Sequence, residues 1–228
     1  MAELRAVIFD FDGVLADSVP VYREAVAQAA GEAGVDGAGM ELIAAADTRT
    51  VARAIIERYH LDVTVETLTD QIEKFALDRL LTAPRIVAGA RSLLESIRSF
   101  GLRAAIASLA PRQNIDGILR QEGLLDFFAA IVTIENIERI KPDPEVYLKA
   151  AAALDVSPGD CIAIEDSDRG VTAALAAGMT VIALTTTLPA DRLGHAHLVV
   201  PTLADLSLED MRVVHQRTQG QLFAGQDL

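Results

Sequence analysis

The chain has no tryptophan and a single cysteine, with only eight prolines and fifteen glycines in 228 residues. With no second thiol to pair with Cys161, a disulfide framework within the chain is excluded, which fits a reducing setting such as the cytoplasm. So little glycine and proline excludes collagen-like and low-complexity classes. Long apolar runs are missing as well. Each is broken by Arg, Asp or Glu well short of the ~20 residues a membrane helix needs. The first residues run straight into a strand-like segment, without a basic leader or cleavage site. Positive charge is scarce too: 20 Lys and Arg face 33 Asp and Glu, a net charge of −13. A field of that sign repels phosphate backbones, so nucleic acid is set aside as a partner, as is a membrane. A small phosphorylated metabolite remains possible where cations are gathered locally.

Apolar residues, by contrast, are plentiful. At 51% hydrophobic the chain can offset its ordering entropy, and its length suggests one to two domains. Short runs rich in strand formers occur at 6–9, 103–107, 130–134, 161–164, 181–184 and 198–200. Helical patterns at 90–100, 112–121, 144–154 and 170–177 fall between most of them, several closed by glycine. Strands alternating with helices predict an α/β fold, a Rossmann-like parallel sheet with helices on both faces. From about 16 to 85 the rhythm changes to helices only, at 19–33, 39–46, 50–59 and 65–81. The economical reading is a helical domain inserted after the first strand, spanning 16–85, with the core formed by 1–15 and 86–228. The Gln- and Gly-rich end, 216–228, is expected to fray.

In a parallel sheet, ligands bind outside the carboxyl ends of the strands. Asp10 and Asp12 stand after the first run, Ser108 after the second, Lys141 a loop beyond the third, and Glu165 and Asp166 after the fourth. Carboxylates brought this close need a cation between them at neutral pH, and hard oxygen ligands suit Mg²⁺. Each residue also has an ordinary alternative. Asp10-Phe11-Asp12-Gly13 can be an acidic turn, Ser108 a strand end, and Lys141 a solvated loop lysine, although only three lysines occur in all. The acids at 166 and 168 can complement a helix dipole while residue 167 or 168 caps that helix. His195-Ala196-His197 lacks a third metal ligand and reads as loop or edge. Gly37-Ala38-Gly39 reads as a turn, and Cys161 as inert core. Thr185-Thr186-Thr187 follows a strand near the same cleft and carries no assigned role.

Asp10-Phe11-Asp12-Gly13-Val14-Leu15, Ser108, Lys141-Pro142-Asp143-Pro144 and Glu165-Asp166-Ser167 together resemble the four ordered motifs of the haloacid dehalogenase superfamily. The helical insertion after the first motif is similar to the cap of the subgroup containing β-phosphoglucomutase and phosphoglycolate phosphatase. The resemblance implies a Mg²⁺-dependent phosphatase acting on a small phosphate monoester, with sugar phosphates favoured. It implies Asp10 as the nucleophile that forms an aspartyl phosphate and Asp12 as general acid and base. Mg²⁺ would be held by Asp10, the Asp12 carbonyl and Asp166, with Glu165 direct or through water. Ser108, the Leu109 amide and Lys141 would bind phosphoryl oxygens, although Leu109 departs from the small or polar residue usual there. The cap would exclude water, with Arg49 gripping the substrate.

Rival activities leave different marks. Dehalogenases of the family lack the second aspartate, so Asp12 argues against that reaction. Phosphonate hydrolysis through a cap Schiff base needs a lysine, and the insertion offers only Lys74, well along its last helix, while the nearer loop presents Arg49. A β-phosphoglucomutase-like reaction is the main alternative. Thr48-Arg49 fits it, whereas Tyr22 stands where the mutases carry histidine. A phosphometabolite-binding protein without activity would be signalled by loss of an acidic motif residue, and none is lost.

Overall fold

The structure, a computed structural model, describes residues 3–35, 47–83 and 85–224. The helix expected at 39–46 and the turn at Gly37-Ala38-Gly39 lie outside them. Strand β1, Ala6–Phe9, is buried at every position and forms the middle of a six-stranded parallel sheet. Around it run β2 (Arg103–Ala107), β3 (Ala130–Val132), β4 (Cys161–Glu165), β5 (Thr180–Leu184) and β6 (Leu198–Val200), in the order β3-β2-β1-β4-β5-β6. β1 pairs with β2 on one side and β4 on the other, with Phe9 opposite both Ile106 and Ile164. The carboxyl ends of the three central strands are therefore level.

Alternation along the strands divides the core into two layers. Val7, Phe9, Ile106 and Ile164 face α4 (Ala90–Ser99), α5 (Arg112–Gln121) and α9 (Leu208–Ala224), where Leu94, Ile115 and Met211 close the layer. On the other face Ile8 lies with small residues, Ala105, Ala107 and Ala163, against α6 (Glu145–Ala153) and α7 (Asp168–Ala176). Those helices answer with Ala150, Ala151, Ala173 and Ala174, so backbones approach closely and shape complementarity substitutes for bulk. A short α8, Ala190–Leu193, precedes β6.

The helical insertion begins after β1. Helices α1 (Val19–Glu32), α2 (Thr48–Tyr59) and α3 (Val65–Thr82) bury a separate apolar cluster. Leu68, Ile72 and Ala76 recur every fourth residue along α3 and meet Ala25 and Ala29 of α1 and Ile55 of α2. α2 starts two residues before the expected position because Asp47 caps it, accepting from the Thr50 amide at 3.0 Å. The chain enters and leaves the insertion side by side. Ala16 bridges Ile86, the Asp17 amide donates to the Arg85 carbonyl, and the Val87 amide to that of Leu15, both at 2.9 Å.

At the far end the segment expected to fray from Gln216 is helical as α9 through Ala224, and residues 225–228 lie outside those described. Met211 and His215 are buried, and Gln219 donates to the Gly159 carbonyl at 2.9 Å, so side-chain anchoring adds to the helix propensity of Leu, Arg and Gln. Among the described residues no helix is long and apolar enough to cross a membrane.

Candidate active site

The strand ends converge on one cavity between the sheet and the insertion, enclosing about 930 Å³ of empty space with its mouth included. Asp10 follows β1 directly, its amide tied to the Ile164 carbonyl at 2.9 Å, so the side chain is held at the sheet edge. Asp12, two residues on, accepts from the buried hydroxyl of Ser18 at 2.5 Å. Between them and the fourth motif lies Gly13. Its φ of +76° suits glycine, and a Cβ there would fall 1.9 Å from Asp166 Oδ2. Glycine at this turn is what lets the two acidic motifs approach.

Lys141 is the cationic centre of the group and is only 3% exposed. Its Nζ lies 3.1 Å from Asp10 Oδ1 and 2.6 Å from Glu165 Oε1, and it donates to the Ala107 carbonyl at 3.1 Å. Glu165 is the last residue of β4 rather than the first beyond it, and is completely buried. Both its oxygens are occupied: Oε1 by Lys141 and the Tyr147 hydroxyl at 2.6 Å, Oε2 by the Asp166 amide at 3.1 Å and the Ser167 hydroxyl at 3.1 Å. Ser167 also caps α7, accepting from the Gly170 amide at 3.1 Å, so capping and site-building share one residue. Ser108 is buried behind β2, its hydroxyl accepting from the Ala110 amide at 3.0 Å, and Leu109 lines the same cavity.

The electrostatics show too many acids for one ammonium. Burial pushes the Asp10 carboxyl up to about 7; Lys141 works against the rise, and Glu165 and Asp12 add to it. Burial likewise raises Asp12 to about 6 against the bond from Ser18. Asp166 is driven well above the usual carboxylate range by burial and then by Glu165 and Asp10. Burial would lower the Lys141 ammonium, but Asp10 and Glu165 outweigh it and hold the charge. One oxygen each of Asp10, Glu165 and Asp166 lies within 4.8 Å of the others, a hard-oxygen set that fits a small divalent cation. Gly13, which leaves Asp166 its space, fits that reading too.

Sequence reasoning thus finds Asp10, Asp12, Ser108, Leu109, Lys141, Glu165 and Asp166 at one site, and all but Glu165 line the cavity itself. Arg49 stands apart. It is exposed on α2, pairs with Glu66 of α3 at 2.5 Å, and does not line the cavity. Several site residues were not anticipated. Thr187 donates to Asp166 Oδ2, and Thr186 to the Gly13 carbonyl at 2.6 Å. Arg169 donates through Nε to the Lys141 carbonyl at 2.9 Å. The threonines' place after β5 was visible; the contacts of Tyr147 and Arg169 had no local signal.

A capped α/β fold with an acid-lined, ammonium-bearing cleft at the sheet's carboxyl edge is a recognisable class. The family model described as haloacid dehalogenase-like hydrolase matches residues 7–184, and the chain belongs to that family. β-Phosphoglucomutase of Bacillus subtilis (strain 168) is 40% identical over 129 residues, 57% of this chain and 55% of the relative. Fructose-1-phosphate phosphatase YqaB of Escherichia coli (strain K12) is 29% identical over 184 residues, 77% of this chain and 94% of the relative. The crystal structure of β-phosphoglucomutase from Clostridium difficile is similar at a TM-score of 0.81 and 24% identity, covering 94% of this chain and 98% of that one. That likeness carries the fold.

Proposed function

We propose that the chain is a Mg²⁺-dependent phosphatase that hydrolyses a small phosphate monoester, a sugar phosphate foremost, through an aspartyl phosphate on Asp10. The observation that carries this reading is the meeting of Asp10, Asp12 and Lys141 in one cavity, with Lys141 Nζ 3.1 Å from Asp10 Oδ1. An Asp10 oxygen attacks phosphorus, and the bond from phosphorus to the ester oxygen breaks while Asp12 gives that oxygen its proton. Water then attacks the acyl phosphate, Asp12 takes the water's proton, and Asp10 is freed as inorganic phosphate leaves. Lys141 and the Ser108–Leu109 segment neutralise phosphoryl oxygens, and Glu165 holds Lys141 in place. Mg²⁺ would be held by the carboxylates of Asp10 and Asp166 and the Asp12 carbonyl, and would supply positive charge to the transferring group. The insertion, taken as 16–85, serves as a cap that shields this chemistry from bulk water. The names of the E. coli and B. subtilis relatives favour a sugar phosphate.

The test is phosphate release from a panel of monoesters, with and without Mg²⁺, by the wild type and Asp10→Asn. Mg²⁺-dependent release that falls by at least roughly a thousandfold in the variant is expected. Retention of phosphoenzyme formed from a bisphosphorylated sugar, with no release from any ester, would instead establish the mutase. Neither release nor phosphoenzyme would point to a binding role.

A further inference from the structure

We propose that Glu73 selects the charge class of the leaving group, so that the cap accepts a neutral hydroxylated alcohol and rejects substrates bearing a second anionic group. The inference rests on the phosphatase reading and concerns the other end of the same cavity. There the cap contributes apolar surface from Val19, Val26 and Val51, together with Tyr22, Asp47, Thr48 and Glu73. Glu73 is fixed by three donors. Its Oε1 accepts from the Thr48 hydroxyl, while Oε2 accepts from the Tyr22 hydroxyl and from Asn114 Nδ2, both at 3.0 Å. Asn114 belongs to α5 of the core and is only 4% exposed, so it sets Glu73 in a defined position relative to Asp10 and Asp12. A carboxylate held by three donors is an acceptor-only group, ready for a further hydroxyl and hostile to a phosphate or carboxylate.

Among the described residues no cap Lys or Arg lines the cavity beside it. Arg49 pairs with Glu66, Arg79 donates to Gln28 at 2.7 Å and lies 3.6 Å from Glu24, and neither lines the cavity. Residues 36–46 contain no Lys or Arg at all. The two cations that do line the cavity, Lys141 and Arg169, both belong to the core, and Lys141 already faces Asp10 and Glu165. A second anionic group reaching the cap end would therefore lie against Glu73 and Asp47 with no cap cation beside it. Such selection disfavours both bisphosphorylated sugars and phosphorylated hydroxy acids.

The experiment compares a hexose monophosphate, its bisphosphate and 2-phosphoglycolate as substrates of the full chain with Mg²⁺. The wild type is expected to favour the hexose monophosphate in kcat/KM by roughly a hundredfold. Glu73→Gln keeps the shape but removes the charge. It is expected to narrow that preference about tenfold, mainly through a lower KM for the two compounds that carry a second anionic group. Asn114→Ala loosens the carboxylate without removing it, and is expected to narrow the preference less than Glu73→Gln does, with kcat for the hexose monophosphate kept. Calorimetric titration of Asp10→Asn with the same compounds reads the selection without turnover and with Glu73 intact. Equal affinity there for the hexose monophosphate and for the compounds with a second anionic group, or an unchanged preference in a folded Glu73→Gln, would overturn the proposal. Absence of turnover from every ester, with the binding preference still present, would overturn the phosphatase reading alone.

Discussion

The two ends of the cavity are built differently. At the phosphate end Asp10, Ser108, Lys141, Glu165 and Asp166 are buried on the core, and half-buried Asp12 is held by Ser18. Lys141 alone reaches Asp10, Glu165 and the Ala107 carbonyl. At the leaving-group end Glu73 is partly exposed, and its hydrogen bond to the core runs through Asn114. The first arrangement suits chemistry, where a displacement of ~1 Å costs roughly a hundredfold in rate. The second suits selection, because exchanging a cap residue leaves the reacting atoms where they were. If this division is right, substitutions at the phosphate end change the rate for all substrates alike, and those at the cap change their ranking.

The largest effect belongs to Lys141→Met. Removing the ammonium leaves Asp10 and Glu165 facing each other without it, so stability should fall by about 3–5 kcal/mol. Turnover should fall by ~10³ for every ester, as expected where transition-state charge loses its counter-ion. Urea melts and kcat/KM across the panel check both, and a changed substrate ranking would break the division. Gly13→Ala comes next. The added Cβ would meet Asp166 Oδ2 at 1.9 Å on a backbone with φ of +76°, so a cost of about 1–3 kcal/mol is expected. Because Asp166 must move, the Mg²⁺ concentration needed for half-maximal rate should rise in the same variant. A third effect needs no chemistry. If Mg²⁺ binds only the folded acid cluster, a concentration a hundredfold above its Kd should add about 2.7 kcal/mol of stability. Differential scanning calorimetry should then show Tm rising by on the order of 5 °C. Asp166→Asn should remove most of that rise, while Glu73→Gln should leave it intact.

This contrast also explains what could be read from the sequence. Asp10, Ser108 and Asp166 lie one residue beyond the ends of β1, β2 and β4, so finding the strands was enough to find them. Their shared cavity follows from the parallel register that brings Phe9, Ile106 and Ile164 level. The leaving-group end has no such shortcut. Asn114 and Glu73 are 41 residues apart on helices of different layers, and their contact depends on how α3 is rotated against α5. Arg49 shows the same gap from the other side. Its position in sequence suggests a substrate contact, yet the rotation of α2 delivers it to Glu66. Tyr147 was hidden for a simpler reason. In an alanine-rich helix it reads as a core aromatic, and it is one, except that its hydroxyl finds Glu165.

Tyr147 and Tyr22 offer the finest test of the division, because each donates its hydroxyl to a glutamate at one end of the cavity. Tyr147 is fully buried and reaches Glu165 at 2.6 Å; Tyr22 is partly exposed and reaches Glu73 at 3.0 Å. Replacement of either by Phe removes one oxygen and conserves the ring. In Tyr147→Phe, Glu165 keeps Lys141 but loses its second donor on Oε1, and a hydrogen bond to a buried charge is worth about 1.5–3 kcal/mol. Glu165 should then pull Lys141 toward itself and away from Asp10, lowering kcat by roughly tenfold for all esters with KM ratios unchanged. In Tyr22→Phe, Thr48 and Asn114 still hold Glu73, so the loss should be smaller, about 1 kcal/mol. That loss should appear in the KM of the preferred ester rather than in kcat. Stopped-flow phosphate release separates the two parameters. A uniform kcat defect in Tyr22→Phe, or a reordered substrate ranking in Tyr147→Phe, would show that the two ends work as one unit.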